Sequence, residues 1–309
     1  MKIMRKALIL AKLETTYNVD PTPTAAANAI LVRNMSVQPV TGDFVPRDVV
    51  RPYLGGDEQL PAAIYSTVNF EVELAASGTA GTAPKFGPLL RACGLSETVT
   101  AATDVKYAPA SGTYESATIY YYLDGLLHKL TGARGTVVFS LNAKQIPVAQ
   151  LTFTGIYSPV TDAALPASPD FSGFRVPLVV NNTNTAAWSL HGFTGACEAL
   201  SIDLGNTISY RNLIGLETVE LTDRATTGSA TLELPSIATK DFPGIIRAAT
   251  TGALSITHGT VAGSKVKFDA PKVQLSNPQY QDSEGSVFLQ TALSLVPNAG
   301  NDELLLTFL

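Results

Sequence analysis

An eight-residue block, Phe86-Gly87-Pro88-Leu89-Leu90-Arg91-Ala92-Cys93, returns 156 positions later as Phe242-Pro243-Gly244-Ile245-Ile246-Arg247-Ala248-Ala249. Each block follows a segment of strand character, Phe70-Glu71-Val72-Glu73-Leu74 in the first half and Ala230-Thr231-Leu232-Glu233-Leu234 in the second. Each also precedes hairpin-like strands that end in an alternating apolar strand, 151–157 and 289–295. One short match can arise by chance, but matches in the same order across strand, helix and strands point to an internal duplication. At 309 residues the chain is long enough for two medium domains, each with a core of its own.

Between these landmarks the chain reads as strands punctuated by Gly, Pro, Asn and Asp. Val68, Phe70, Val72 and Leu74 alternate with Asn69, Glu71 and Glu73, the period-two pattern of a sheet with one dry and one wet face. Strands are expected at 116–123, 135–141 and 148–157, then at 197–204, 218–222, 229–234, 253–257, 264–268, 272–275, 286–295 and 304–309. Phe86, Leu89, Leu90 and Cys93 have helical spacing and stop at Gly94, so 84–93 is read as a short helix, and 237–249 as its counterpart. The patch 25–32 is apolar enough for a helical turn. Pro166 and Pro169 mark the boundary segment. The expected division is an extended N-terminal arm at 1–34, a first domain at 35–160, a connection at 161–190 and a second domain at 191–309.

Charged residues make up only 15% of the chain, against about 25% for an ordinary soluble domain. Thr, Ser, Asn, Gln, Ala and Gly take their place, giving a neutral polar surface that costs little to bury against other subunits. The net charge of -5 and the lack of any Lys/Arg cluster argue against a tight sequence-reading grip on nucleic acid. The basic start followed by 7–11 imitates a signal peptide faintly, but Lys12 and Glu14 interrupt the run, so a cytosolic N-terminus is expected. No stretch approaches 18 uncharged apolar residues, which excludes a spanning helix. Two cysteines, Cys93 and Cys197, make no disulfide framework and are expected to be reduced.

Chemistry-bearing constellations are missing. His128, His191 and His258 stand apart from one another and from both cysteines, without metal-ligand spacing. Cys93 lies on the apolar side of the expected helix and aligns with Ala249, which suits a small space-filler. Gly78 to Gly81 lacks the Lys-Ser/Thr ending of a phosphate loop and reads as a hairpin tip. No catalytic residue, metal or cofactor is therefore expected, and the chain is not read as an enzyme. Arg47-Asp48 and Asp223-Arg224 are opposite-charge pairs near loop ends that could seat a neighbouring subunit or form ordinary surface pairs. Tyr120, Tyr121 and Tyr122 lack flanking basic residues, which favours packing over base stacking.

The chain resembles the major tail tube proteins of long, non-contractile-tailed bacteriophages. The resemblance is carried by Ala7-Leu8-Ile9-Leu10-Ala11-Lys12-Leu13-Glu14-Thr15-Thr16-Tyr17 with Asp20-Pro21-Thr22-Pro23, by Arg47-Asp48 with Arg51-Pro52 and Leu54-Gly55, and by Pro88-Leu89-Leu90-Arg91-Ala92-Cys93-Gly94. Ala270-Pro271-Lys272-Val273-Gln274-Leu275, Asp282-Ser283-Glu284-Gly285 and Asn301-Asp302-Glu303-Leu304 continue it almost to the last residue. It implies a mainly β chain of two tandem β-sandwich or barrel-like tube domains, each with a short flanking helix. It further implies a structural virion protein whose stacked rings enclose a channel for the genome during ejection, assembled in the host cytoplasm.

Rings in such proteins hold six tube domains, so a doubled chain implies trimeric rings with pseudo-sixfold symmetry; a hexamer is the alternative. Implied partners are further copies of the chain, tail-tip and terminator proteins, and a tape-measure protein and phage DNA held in the lumen without sequence-specific binding. Asn69, Glu71, Glu73, Thr231 and Glu233 are expected on a polar face toward the lumen or the next ring. Tyr17, Arg47, Asp48, Asp223 and Arg224 are the expected subunit contacts, and residues 1–23, 54–62 and 76–83 the expected inter-ring contacts. The competing readings are another β-rich tube or terminator component, and a secreted β-sandwich adhesin or carbohydrate-binding module.

Overall fold

The computed structural model describes residues 2–185 and 187–309. Strand accounts for 53% of it and helix for 5%, so the chain is mainly β, built from large antiparallel sheets. The first half contains β1 (Ala7–Leu13), α1 (Ala25–Asn28), β2 (Ala29–Ile30), β3 (Arg33–Pro46), β4 (Gln59–Glu73), α2 (Gly87–Ala92), β5 (Leu95–Thr100), β6 (Asp104–Pro109), β7 (Ala117–Leu123), β8 (Leu126–Asn142), β9 (Val148–Tyr157) and β10 (Thr161–Asp162). The second contains β11 (Ala187–Leu190), β12 (Cys197–Asp203), β13 (Asn206–Leu213), β14 (Leu216–Arg224), β15 (Thr227–Glu233), α3 (Phe242–Arg247), β16 (Thr251–His258), β17 (Val266–Ser283), β18 (Ser286–Leu295) and β19 (Leu305–Phe308).

In the first half, antiparallel pairing runs β3–β4–β9–β8–β7–β1. In the second it runs β12–β15–β18–β17–β16–β11. The two orders are the same, and α2 and α3 occupy the same place in them, after β4 and β15 respectively. The halves also join edge to edge, because β12 pairs with the C-terminal half of β8, Leu200 opposite Leu141 and Ile202 opposite Phe139. One sheet thus runs unbroken through β3–β4–β9–β8–β12–β15–β18–β17. A second junction forms on the outside, where β19 lies between β17 and β6.

Alternation divides this long sheet into two faces. Val68, Phe70 and Val72 of β4, Val137 and Phe139 of β8, Leu200 and Ile202 of β12 and Leu289 and Leu293 of β18 are almost wholly excluded from solvent and face the main core. Each such side chain contributes about 1.5–3 kcal/mol by leaving water, so a one-residue slip of any central strand would expose a whole row. The outer strands β1, β7, β16 and β11 close the core from the other side, supplying Ile9, Ile119, Tyr121, Leu254 and Ile256. Helix α2 starts with Pro88 in its first turn, buries Leu89 and Leu90, and ends at Gly94 with φ +79°.

The segment expected as an N-terminal arm places β1 inside this fold: Ile9 and Leu10 are buried and all seven residues pair with β7. Residues 25–30 form α1 and β2. Behind β1 and β7, Leu8, Leu10, Tyr120, Tyr122 and Leu127 make a small second core with Ala25 and Ala29, flanked by Leu165 and Phe171. All three tyrosines therefore pack. Several expectations are corrected. The strands read at 264–268 and 272–275 are one strand, β17, because Pro271 sits at a bulge where pairing with β16 slips between Gly252 and Leu254. Gly78 to Gly81 belongs to the loop leading to α2, pinned by Gly78 N–H donating to the Gly263 carbonyl, and is not a hairpin tip. Helix α3 is shorter than 237–249, opening only where the Asp241 carboxylate accepts from Gly244 N–H.

Candidate functional site

Strand registers assemble the polar face residue by residue. Thr67, Asn69, Glu71 and Glu73 stand opposite Thr154, Thr152, Gln150 and Val148, which stand opposite Arg134, Thr136, Val138 and Ser140. The face continues through Ser201 and Asp203, Ser229, Thr231 and Glu233, then Gln290, Ala292 and Ser294, and ends on Gln279 and Gln281. The five expected residues, Asn69, Glu71, Glu73, Thr231 and Glu233, are thus brought together on one face of one sheet. Thr231 is buried there, whereas Glu233 is exposed. Glu71 accepts from Asn34 Nδ2 and pairs with Arg33 at 3.0 Å. Glu73 and Glu233 have no ion pair among the described residues. The other cation of the face, Arg134, spends its guanidinium on the Val219 and Tyr114 carbonyls and over the Tyr17 ring.

Among the described residues, two strand edges of this sheet are open. Leu74 N–H bonds the Pro147 carbonyl at the end of β9, so even-numbered residues of β4 face β9 and odd-numbered ones face β3. Ser36 and Gln38 are opposite Asn69 and Thr67, which makes them the β3 residues that bond β4. Val37 between them turns its N–H and C=O outward. At the other end, Leu234 N–H bonds the Val287 carbonyl, so even-numbered residues of β18 face β17. Gln279 and Gln281 take those bonds, opposite Gln290 and Phe288, and Tyr280 faces outward. Its side chain is 64% exposed. Tyr280 occupies the position in the repeat that Phe139 holds in β8, and Phe139 is wholly buried in the junction with β12.

Two hairpins project from one end of the sheet. β13 and β14 prolong β12 and β15, turn at Ile214-Gly215, and lie back on the first half. There Val219 N–H donates to the Tyr17 hydroxyl, Asn206 Nδ2 donates to the Cys93 and Gly135 carbonyls, and Leu221 abuts Gly94. The corresponding hairpin of the first half, β3–β4, has a longer tip, residues 47–58, and no such bed. Phe44, Val45, Val50, Tyr53, Leu54 and Leu60 are all exposed along it. A lone two-stranded ribbon is marginal in water, and this one carries apolar side chains on both faces.

The expected contact residues divide accordingly. Arg47 does not pair with Asp48 but with Glu58 across the tip, and Asp48 is exposed. Arg224 pairs with Glu303 at 2.6 Å, both side chains about nine-tenths buried, and also donates to the Ala110 carbonyl, while Asp223 only accepts from the Arg224 N–H. Tyr17 lies between the two halves. Composition-based reading missed Val37 and Tyr280; the available signal was the Gln279-Tyr280-Gln281 alternation, one large aromatic between two amides with no core against it in its own chain. Burial raises both thiols, Cys197 to about 12 and Cys93 further, so neither is a nucleophile at neutral pH. Burial also lowers all three histidines below their ordinary value.

Among known families, the model described as phage tail tube protein matches residues 4–292. A search of the curated proteins finds no match.

Proposed function

Because the chain belongs to the phage tail tube protein family, a structural component of the virion tail, we propose that it closes into rings through its two open edges and that stacked rings form the genome conduit. One observation carries this reading: the chain already contains one copy of the required seam. β8 meets β12 inside the chain, and the equivalent strands β17 and β3 each leave one edge open, at residues 279–281 and around Val37, at opposite ends of the same sheet. Superposing the repeat on itself sets Val37 opposite the partner's Tyr280, with Ser36 opposite the partner's Gln281. Main-chain bonds then remove the last edges, the arrangement that makes an exposed edge safe. Covering Tyr280 contributes about 1.5–3 kcal/mol at each seam.

Three chains of two domains complete a pseudo-sixfold ring. The polar face lines its lumen, with Glu71, Glu73, Asp203 and Glu233 facing water and Arg33 and Arg134 already engaged. Such a lining offers phosphates few free cations, so DNA and a tape-measure protein pass without being held. Tail-tip and terminator proteins cap the tube, and assembly takes place in the host cytoplasm. The two tube domains share one sheet, and the divisions 35–160 and 191–309 widen to take in β1 in the first and β11 in the second.

Ser36→Cys with Gln281→Cys in one chain tests both closure and count. Cα atoms of antiparallel neighbours lie about 4.5–5.5 Å apart, within disulfide reach. Under oxidation the ladder on a denaturing gel should end at a covalent trimer. A ladder ending at six establishes the hexamer instead, and the absence of intermolecular bonds from a ring-forming preparation refutes this register.

A further inference from the structure

We propose that the base of one chain's β3–β4 hairpin lies against the second half of its neighbour in the same ring, over β17, β18 and the end of α3; this rests on the ring reading above. The occupant is selected by a contact inside the chain, where the β13–β14 hairpin lies on the first half in the same way. The two hairpins correspond residue by residue. Pairing in β13–β14 steps from Thr207 opposite Asp223 to Ile208 opposite Leu221 and leaves out Thr222. Pairing in β3–β4 steps from Asp43 opposite Ala63 to Phe44 opposite Pro61 and leaves out Ala62, 160 positions earlier. Just below each bulge a hydroxyl bonds across the ribbon: Ser66 Oγ donates to the Pro39 carbonyl at 2.7 Å, and Thr226 Oγ1, 160 positions on, to the Leu204 carbonyl at 3.1 Å. A bulge bends its strand in a defined direction, so both hairpins leave the sheet alike.

Within the chain, the hairpin face carrying Ile208, Tyr210, Val219 and Leu221 is the one turned to the first half. It rests on β8 and β9, with Tyr210 against Tyr65 at 5.0 Å between ring centroids and Leu221 against Gly94 beyond α2. In β3–β4 those four places are held by Phe44, Pro46, Gln59 and Pro61, all exposed. Their own chain offers no bed, because β3 ends the sheet. The counterparts of β8 and β9 are β17 and β18, and these lie at the far end, where the neighbour's β3 arrives.

Shape supports the exchange. Ala225 holds the place of Tyr65 in the second half, and an open cavity of about 430 Å³ lies there, lined by Ala225, Thr227, Ser294, Leu295 and Pro297 among others. The incoming hairpin carries Phe44 where the inner one has Ile208, so the aromatic ring is supplied from the other side. At the helix end the sizes are reversed. Gly94, where a Cβ would collide with Leu221, is matched by the left-handed Ala249 at φ +50°, and Leu221 by the shorter Pro61. Gln274 takes the place of Arg134, opposite Ser294 as Arg134 is opposite Thr154. Arg134 donates to the Val219 carbonyl, and the Gln274 amide has the partner's Gln59 carbonyl to donate to. Every helix end around the ring is then covered by a hairpin, alternately from its own chain and from the next.

Matched substitutions test this. Ile208→Ala should lower the monomer's melting temperature. Phe44→Ala should leave it unchanged and weaken ring formation by about 10–100-fold, the loss of one covered aromatic at each seam, as read by sedimentation across a dilution series. Ala225→Trp, at a position exposed in the free chain, fills the cavity and should act as Phe44→Ala does. Pro61→Cys with Ala249→Cys in one chain should be bridged between chains by a short bis-maleimide, in a ladder that ends at the same species as the Ser36–Gln281 ladder. Normal ring formation by both Phe44→Ala and Ala225→Trp, or no such bridge in rings that do close through Ser36→Cys and Gln281→Cys, overturns the docking and leaves the ring intact. A ladder running past that species puts the contact between stacked rings and overturns it as well. Failure of both cysteine pairs in a ring-forming preparation refutes the seam register beneath it.

Discussion

The two halves share one topology but differ in what covers them. Helix α2 is buried on most of its surface: β5 follows it, Leu221 of the second half's hairpin abuts Gly94 beyond its end, and Asn206 caps the Cys93 carbonyl. Helix α3 has no such cover among the described residues, and Ala248, Ala249 and Thr250 at its end are exposed. The β8 edge is paired with β12, whereas the β17 edge is bare. Everything that the second half does for the first is missing for the second half. The difference teaches that the second half's uncovered surfaces are the first half's covered ones, which defines the shape of a neighbour without reference to one.

The most severe way to break this comparison is the same substitution at matched positions. Ile202 lies in β12, wholly buried, with its backbone turned to β8. Proline there removes a ladder bond and a core side chain, so Ile202→Pro should abolish the folded monomer. Val37 is its counterpart in β3, and its N–H faces the open edge. Val37→Pro should keep the monomer's melting temperature within a few degrees and eliminate rings, as read by sedimentation and negative-stain imaging. Equal damage from both would mean that the two edges are not equivalent.

Next in size is Arg224→Ala. The Arg224–Glu303 pair ties the base of the β13–β14 hairpin to the segment before β19 and, through the Ala110 carbonyl, to the first half. Removing one partner strands a buried charge and should cost about 3–5 kcal/mol by chemical denaturation. Replacing both with apolar residues of similar size should recover most of that. Arg47→Ala at the exposed tip, the expected sister contact, should leave monomer stability within about 0.5 kcal/mol.

How far the sequence carried these points depends on burial. Strands with one dry face, such as β4, β9 and β15, advertised themselves by alternation, and the helix blocks by Leu and Ile spacing. β13 and most of β3 did not: β13 is largely exposed on both sides in the chain, and in β3 the alternation of Met35 and Val37 with Ser36 and Gln38 is too brief to mark a strand whose second part is exposed. Their identity comes from pairing, which is not local. β17 looked like two strands because Pro271 and Asn277-Pro278 read as breakers, and both are absorbed at bulges. The polar row Asn69, Glu71 and Glu73 was legible from parity alone. The partners of Arg47 and Arg224 were not, since Glu58 and Glu303 come near only after a hairpin and a chain terminus are placed.

Acid sharpens the comparison by acting on the halves unequally. Two of the three histidines, the half-buried His191 and the buried His258, belong to the second half. His258 donates from Nε2 to the Leu178 carbonyl and accepts at Nδ1 from the Thr185 hydroxyl, a neutral tautomer fully used. His191 Nε2 bonds the Val273 carbonyl, with Lys240 nearby. Burial holds both below the ordinary 6.5. The unfolded chain therefore binds protons first, so the stabilisation is complete above pH 6.5 and is lost as pH falls toward and through the folded values. Between pH 7.5 and 5.5 the melting temperature should drop, and amide exchange in β16 should rise before that in β4, which neither carries nor faces a histidine. Uniform loss across both strands would remove the histidines from the explanation.

The smallest expected effect concerns the two helix ends. The first half ends α2 with Gly94 at φ +79°, where a Cβ would also meet Leu221 at 2.8 Å. The second half places Ala249 at φ +50° in the matching region, exposed and with a Cβ in the left-handed conformation. Relief of that strain amounts to about 1–2 kcal/mol, offset by the greater freedom of glycine in the unfolded chain, about 0.4–1 kcal/mol. Ala249→Gly should thus stabilise the monomer by about 0.5–1 kcal/mol, whereas Gly94→Ala should destabilise it through both strain and contact. Opposite signs in paired urea melts are expected because only the first helix is capped by a hairpin from the other half. If the proposed neighbour supplies the same cap to α3, Ala249→Leu should leave the monomer folded but weaken ring formation.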